Sequence, residues 1–233
     1  MVGDRIAEQG FSVGELQSIA EKFDGSITLL HNLLPSNHRA GNEAAILLIR
    51  HGVEKLGFSP DQLMQEQNAV DYDKKEYSSR FKSTRNSLAR HNIVFGPRRI
   101  PHSVDYQQNT VVGWSEVPLL AALRDSLSSA FGNKAHQLNA EGNNYYDANS
   151  CGIGYHGGSE RKIVVCCCLG ASSTLRYYWR APHSSSPSSS AASISVRHGD
   201  IYIMSEKATG YDWRRTSQYR LVHAAGASKY IDL

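Results

Sequence analysis

Along this chain the rhythm of apolar and polar positions changes once, near Arg99. Before that point apolar residues recur at helical spacing. In "FSVGELQSIAEKFDG" Ser12 stands as an N-cap with Glu15 three positions on, apolar residues follow at intervals of three and four, and Gly25 ends the turn. "AGNEAAILLIRHGVEKLGF" reads as a second helix, closed near Gly57 and apolar enough to pack against something larger. Ser59-Pro60-Asp61 opens a third. A helical layer over residues 1–92 is the expectation.

Beyond Arg99 the segments "NTVVGW", "RKIVVCCCLG", "STLRYYWR", "SISVRHGDIYIM" and "SQYRLVHAAG" are short, β-branched and aromatic, and separated by Gly, Ser, Asn or Asp. They predict strands. One helix interrupts them, "VPLLAALRDSLSSAFG", with Leu119, Leu120, Leu123 and Leu127 on one face and Gly132 as its stop. The low-complexity stretch from His183 to Ser193 predicts a mobile loop between two strands. No internal repeat interrupts this order. The expected fold class is α+β: the helical layer packs on an antiparallel β-sandwich or jelly roll over residues 93–233, in one compact unit whose mouth between the sheets is the natural small-molecule site.

Charge narrows the partners. With 25 basic against 22 acidic residues among 233, the net charge of +3 is too small for a nucleic-acid polymer and compatible with a small anion. No membrane-spanning or signal-like run is present, so a soluble cytoplasmic protein is expected. Cys151, Cys166, Cys167 and Cys168 lack zinc or disulfide spacing and read as small buried residues in a reducing compartment. The basic residues Lys74, Lys75, Arg80, Lys82, Arg85, Arg90, Arg98 and Arg99 form either a solvated face or a rim that attracts a phosphate.

Chemistry concentrates in "YHGGSERK", where His156 sits between Tyr155 and Gly157 ahead of an apolar strand. Mononuclear non-heme iron is usually held by two histidines and a carboxylate with open positions beside them. The carboxylate position of a His-x-Asp turn is Gly158 here. Two histidines compete as the distal ligand: His223, followed by the small Ala224, Ala225 and Gly226, and His198, which forms His-x-Asp with Asp200. The small residues after His223 leave room for a metal and a co-substrate.

The order Asn143-Asn144-Tyr145, His156-Gly157-Gly158, a strand ending in Leu169-Gly170, "HGDIYIM", and a last strand with a histidine resembles the AlkB-like branch of the iron(II)/2-oxoglutarate-dependent oxygenases. The resemblance implies a double-stranded β-helix, Fe(II) on His156 and His223, 2-oxoglutarate against Asn143 and Tyr145, and dioxygen as oxidant. It also treats the Gly-Asp of "HGDIYIM" as a structural corner. The cation for the far carboxylate stays open among Arg176, Arg214, Arg220 and Lys229. Within this superfamily His-x-Gly marks halogenases, in which chloride takes the vacated position and the substrate radical receives chlorine instead of hydroxyl. The nearest resemblance is to nucleotide halogenases of nucleoside-antibiotic biosynthesis, which implies a free nucleotide as substrate, an adenine nucleotide chlorinated on its sugar, with Lys82, Arg85 and Arg98 as the first cations for its phosphate. Tyr155, Tyr177 and Trp179 are available to stack a base, with core packing as their alternative role. The alternative function is an AlkB-like hydroxylase or demethylase, or an inactive variant of one, with Gly158 replacing the ligand carboxylate.

Overall fold

The computed structural model describes residues 7–78, 82–103 and 110–232. Helix α1 (Val13–Phe23) begins in a closed capping box, Ser12 Oγ accepting from the Glu15 N–H and the Glu15 carboxylate from the Ser12 N–H. Leu16, Ile19 and Ala20 form its buried face. Strand β1 (Ser26–Leu29) then pairs antiparallel with β2 (Ala45–Ile49).

The second helix expected from the sequence is therefore a strand through its apolar half, and only α2 (Gly52–Lys55) is helical. Burial on both faces is the reason. Ala45, Leu47 and Ile49 join the core that contains α1, while Ile46 and Leu48 face the core between the sheets, so no polar side reveals the strand period. Helix α3 (Pro60–Asn68) follows as expected, with Ser59 capping and Pro60 in its first turn.

Strands β3 (Lys75–Ser78) and β4 (Ser83–Asn86) form a two-stranded sheet. A three-stranded sheet has the order β6-β5-β7, from β5 (His91–Gly96), β6 (Val111–Gly113) and β7 (Ala140–Asn144). Between β6 and β7 runs α4 (Pro118–Phe131), which buries Leu123, Leu127 and Phe131.

The remaining strands are β8 (Gly152–His156), β9 (Val164–Cys167), β10 (Ser173–Arg180), β11 (Ala192–Val196), β12 (Ile201–Met204) and β13 (Arg220–Gly226), with α5 (Ser228–Ile231) after them. They complete two antiparallel four-stranded sheets, β1-β2-β12-β9 and β11-β10-β13-β8. Ile46, Leu48 and Met204 from the first sheet share a core with Leu175, Tyr177, Trp179 and Leu221 from the second. The helices cover the first sheet's other face, so the chain is an α+β protein rich in antiparallel strands.

The serine-rich segment does join two strands, β10 and β11, but it is stitched down. The Ser188 N–H donates to Trp179 O at 2.7 Å and the Trp179 N–H donates to Ser189 Oγ at 3.0 Å. Among the described residues no helix is long and apolar enough to cross a membrane.

Candidate functional site

The register of β8 against β13 sets His156 directly opposite His223, and β10 extends the row with Tyr177 opposite His223. Paired residues on adjacent strands share a face. Because Tyr177 belongs to the core between the sheets, the whole row faces inward. The two imidazole centroids are 4.5 Å apart with planes at 59°, and the Tyr177 ring lies 5.4 Å from His223. Just beyond His223 the register slips before Ala225, a local irregularity of the kind that re-aims side chains beside sites.

Both imidazoles are arranged to be neutral. His156 Nδ1 is 2.8 Å from Gly154 O, and a carbonyl only accepts, so Nδ1 carries the proton and Nε2 keeps its lone pair. His223 Nδ1 is buried with no hydrogen-bond partner among the described residues. Burial, followed by the charges of His156 and Arg161, pushes His223 down to about 3. Burial also lowers His156, against the Gly154 hydrogen bond and with help from Arg90 and Arg161. Neutral imidazole is the form that binds a metal. Among the described residues no group of three or more His, Cys, Asp or Glu side chains is placed to hold a metal ion. Two adjoining neutral histidines, one with an orphaned buried nitrogen, fit a metal that keeps several positions for exchangeable ligands.

The turn after His156 is built by close approach. A β-carbon at Gly157 would meet Trp213 Cβ at 2.6 Å, and the Gly158 N–H donates to Thr209 O at 2.8 Å. At Gly158 an added β-carbon would come 2.9 Å from Arg161 Cγ. Arg161 is held by Glu141 at 2.7 Å and Glu160 at 2.9 Å. Arg161 stands three residues after Gly158, a spacing that is the sequence's own signal for it.

A cavity of about 1090 Å³ takes in His156, His223, Gly158, Asn143, Tyr145 and Arg90. Asn143 Oδ1 accepts from Arg90 Nε and from Asn92 Nδ2, each at 2.8 Å, which leaves the Asn143 amide N–H groups to donate. Burial pushes the Tyr145 phenol up to about 12, against the opposite pull of Arg90. Cys151, Cys166, Cys167 and Cys168 are free thiols that line this cavity.

Several expected site residues are elsewhere. Arg176 pairs with Ala224 and Arg220 with Arg180, so both alternate onto the face opposite the His223 row. Arg176 Nη1 donates to Ile231 O at 3.1 Å, and Arg220 Nη2 donates to the carbonyls of Ala181 and Ser184. Neither lines the cavity. Arg214 is exposed against the Trp213 ring, whereas Lys229 does line the cavity. Lys82, Arg85 and Arg98 are exposed and off the cavity; Arg80 lies outside the described residues.

His198 sits in a corner. Its Nδ1 accepts from the Gly170 N–H at 2.8 Å and its Nε2 is 3.2 Å from Asp61, while buried Asp200 pairs with Arg50 at 2.5 Å. Tyr155 donates to Ile231 O at 2.7 Å and Trp179 Nε1 to Leu30 O at 2.9 Å, which makes both packing residues.

No family model matches the chain. It is similar to an uncharacterized protein of Acanthamoeba polyphaga mimivirus, 35% identical over 234 residues, covering 97% of this chain and 89% of the viral protein. The chain belongs to the family of that viral protein. With so large a share of both chains aligned, the family relation spans the helical layer as well as the two sheets.

Proposed function

We propose that this chain is an iron(II)/2-oxoglutarate-dependent halogenase that chlorinates an unactivated carbon of a free nucleotide. The observation that carries the reading is the facing pair of neutral histidines, His156 and His223, 4.5 Å apart at the end of a turn whose carboxylate position is Gly158. The strand pairing supports a jelly roll of the double-stranded β-helix type, because β10–β11, β9–β12 and β8–β13 nest as the arms of one long rolled hairpin do.

His156 and His223 would hold the iron, which with 2-oxoglutarate, dioxygen and chloride supplies the oxidising power to exchange a carbon-bound hydrogen for chlorine. Gly158, having no side chain, would supply the metal with no carboxylate, so the protein's ligands would be the two histidines alone. Asn143, its oxygen already occupied by Arg90 and Asn92, presents amide donors to a co-substrate carboxylate, and Tyr145 stays a neutral donor beside it. The cavity is at the upper end of the size range for small-molecule sites and has room for a co-substrate and a nucleotide together.

One observation favours a second reading. Arg161 Cγ lies 2.9 Å from where a β-carbon at residue 158 would stand, which gives the glycine a packing reason independent of chloride and suits an AlkB-like hydroxylase with water at that position. Mass spectrometry of the product formed aerobically with iron, 2-oxoglutarate and chloride, then bromide, separates the two. Halogen-containing product is expected. Oxygen-containing product alone under saturating chloride overturns halogenation in favour of the hydroxylase, and absence of an anaerobic iron–2-oxoglutarate absorption band overturns both.

A further inference from the structure

We propose that Arg90 is the residue that receives an oxyanion, a carboxylate or a phosphate, entering the cavity beside the histidine pair. Arg90 immediately precedes β5 and lines the cavity. Its Nε is spent on Asn143 Oδ1 at 2.8 Å, and Asn92 holds that same oxygen at 2.8 Å, so the guanidinium is fixed at its stem side. The two Nη groups carry no hydrogen bond and no carboxylate pairs with them among the described residues.

The other cavity arginines differ. Arg161 is bound by Glu141 and Glu160, and Arg124 is paired with Asp125 at 3.2 Å. Arg90 is half-buried, and its positive charge reaches both Tyr145 and His156. A guanidinium partly withdrawn from water without a counter-charge is complemented by an incoming anion, and two parallel Nη donors match a planar carboxylate or a phosphate edge. Arg176 and Arg220 turn to the far face of their sheet, whereas Arg90 enters the cavity from just before β5, the central strand of the three-stranded sheet.

The inference rests on the reading that this cavity is the substrate site, and it names the residue that takes the anion there. Calorimetry under anaerobic conditions, with and without Fe(II), tests it with three probes: 2-oxoglutarate, adenosine 5′-monophosphate and adenosine. Arg90→Gln is expected to weaken one anionic probe by about tenfold or more and to leave adenosine unchanged, and Arg90→Lys to recover part of the loss. Loss confined to 2-oxoglutarate identifies the carboxylate as the anion; loss confined to the monophosphate identifies the phosphate. Unchanged affinity for both anions in a folded Arg90→Gln protein, or no binding of either anion to the unaltered protein, overturns the proposal. Weakened anion binding alongside an unaltered protein that performs no iron-dependent turnover sinks the halogenase and leaves Arg90 in its role.

Discussion

Arg161 lies across Gly158, its Cγ 2.9 Å and its Cδ 3.2 Å from where a β-carbon at residue 158 would stand. The guanidinium cannot swing freely, because Glu141 and Glu160 hold its two Nη groups at 2.7 and 2.9 Å. Gly158 thus joins two properties in one position, the lack of a side chain two residues after His156 and a seat for a tethered one.

That coupling is measurable. Gly158→Ala forces the Arg161 stem aside and is expected to destabilise the protein by about 1–3 kcal/mol, the usual range for overpacking. In an Arg161→Ala background the same substitution no longer meets the Cγ and Cδ atoms, Thr209 O at 3.4 Å being an ordinary contact, and it costs less. A double-mutant cycle from urea unfolding should return a clear interaction energy between the two positions. Additive effects would remove Arg161 from the account of Gly158.

Metal binding distinguishes the two histidine sets. His156→Ala and His223→Ala are each expected to abolish Fe(II) binding measured by anaerobic titration, while His198→Ala retains it. Asp200, buried and accepting from Arg50 and the Arg197 N–H, should act on stability instead; Arg50 is 39% exposed and keeps its water, so the cost of Asp200→Ala is that of the backbone donors left without an acceptor, about 1–3 kcal/mol. Iron binding that survives at His223→Ala and fails at His198→Ala reverses the assignment.

Acid sensitivity follows from His223. Its folded pKa of about 3 is below the ordinary 6.5, so the unfolded chain takes up a proton that the folded chain refuses. The sign is that of a depressed group: stability is complete above about pH 6.5 and is lost as pH falls from there towards about 3. The lowered pKa of His156 acts in the same direction. For the metal-free protein the His223 contribution is about 2 kcal/mol between roughly pH 7 and 5. Urea unfolding at the two pH values should show this loss, and His223→Leu should flatten it; an equal slope in that variant assigns the sensitivity to other groups.

How much of this was legible depended on burial and on strand parity. Strands β6 and β9 to β13 announced themselves because turn residues punctuate them, and α1, α3 and α4 because caps and stops do, whereas β8, with glycines at 152 and 154, gave no such signal. Strand β2 was hidden: "AAILLI" is apolar on both faces, and its period is invisible without knowledge of what covers each side. The histidine pair was visible as chemistry, but its geometry depends on a register between strands far apart in sequence. Parity alone argues against Arg220, since an odd offset of three from His223 on one strand turns it to the other face. Arg176 required the cross-strand register, which pairs its neighbour Tyr177 with His223. Arg90 was lost among eight cations between Lys74 and Arg99, because a charge run carries no sign of which member lacks a partner.

The sharpest test of the halogenase is Gly158→Asp. The new side chain restores a carboxylate two residues after His156, beside an arginine already engaged by Glu141 and Glu160. A carboxylate tethered to the protein has a high effective concentration and should displace a dissociable halide from the metal. Chlorinated product is expected to vanish, as read by mass spectrometry on protein whose iron content has been measured. Hydroxylation need not replace it, since about 1 Å of misplacement in the bound substrate costs on the order of 10²-fold in rate. A weak hydroxylase and an inactive protein are therefore both compatible with chloride at the vacated position. Persistent chlorination by an iron-loaded Gly158→Asp protein is not, because the halide would then be binding somewhere the carboxylate does not reach, and Gly158 would be left with the packing role that Arg161 gives it.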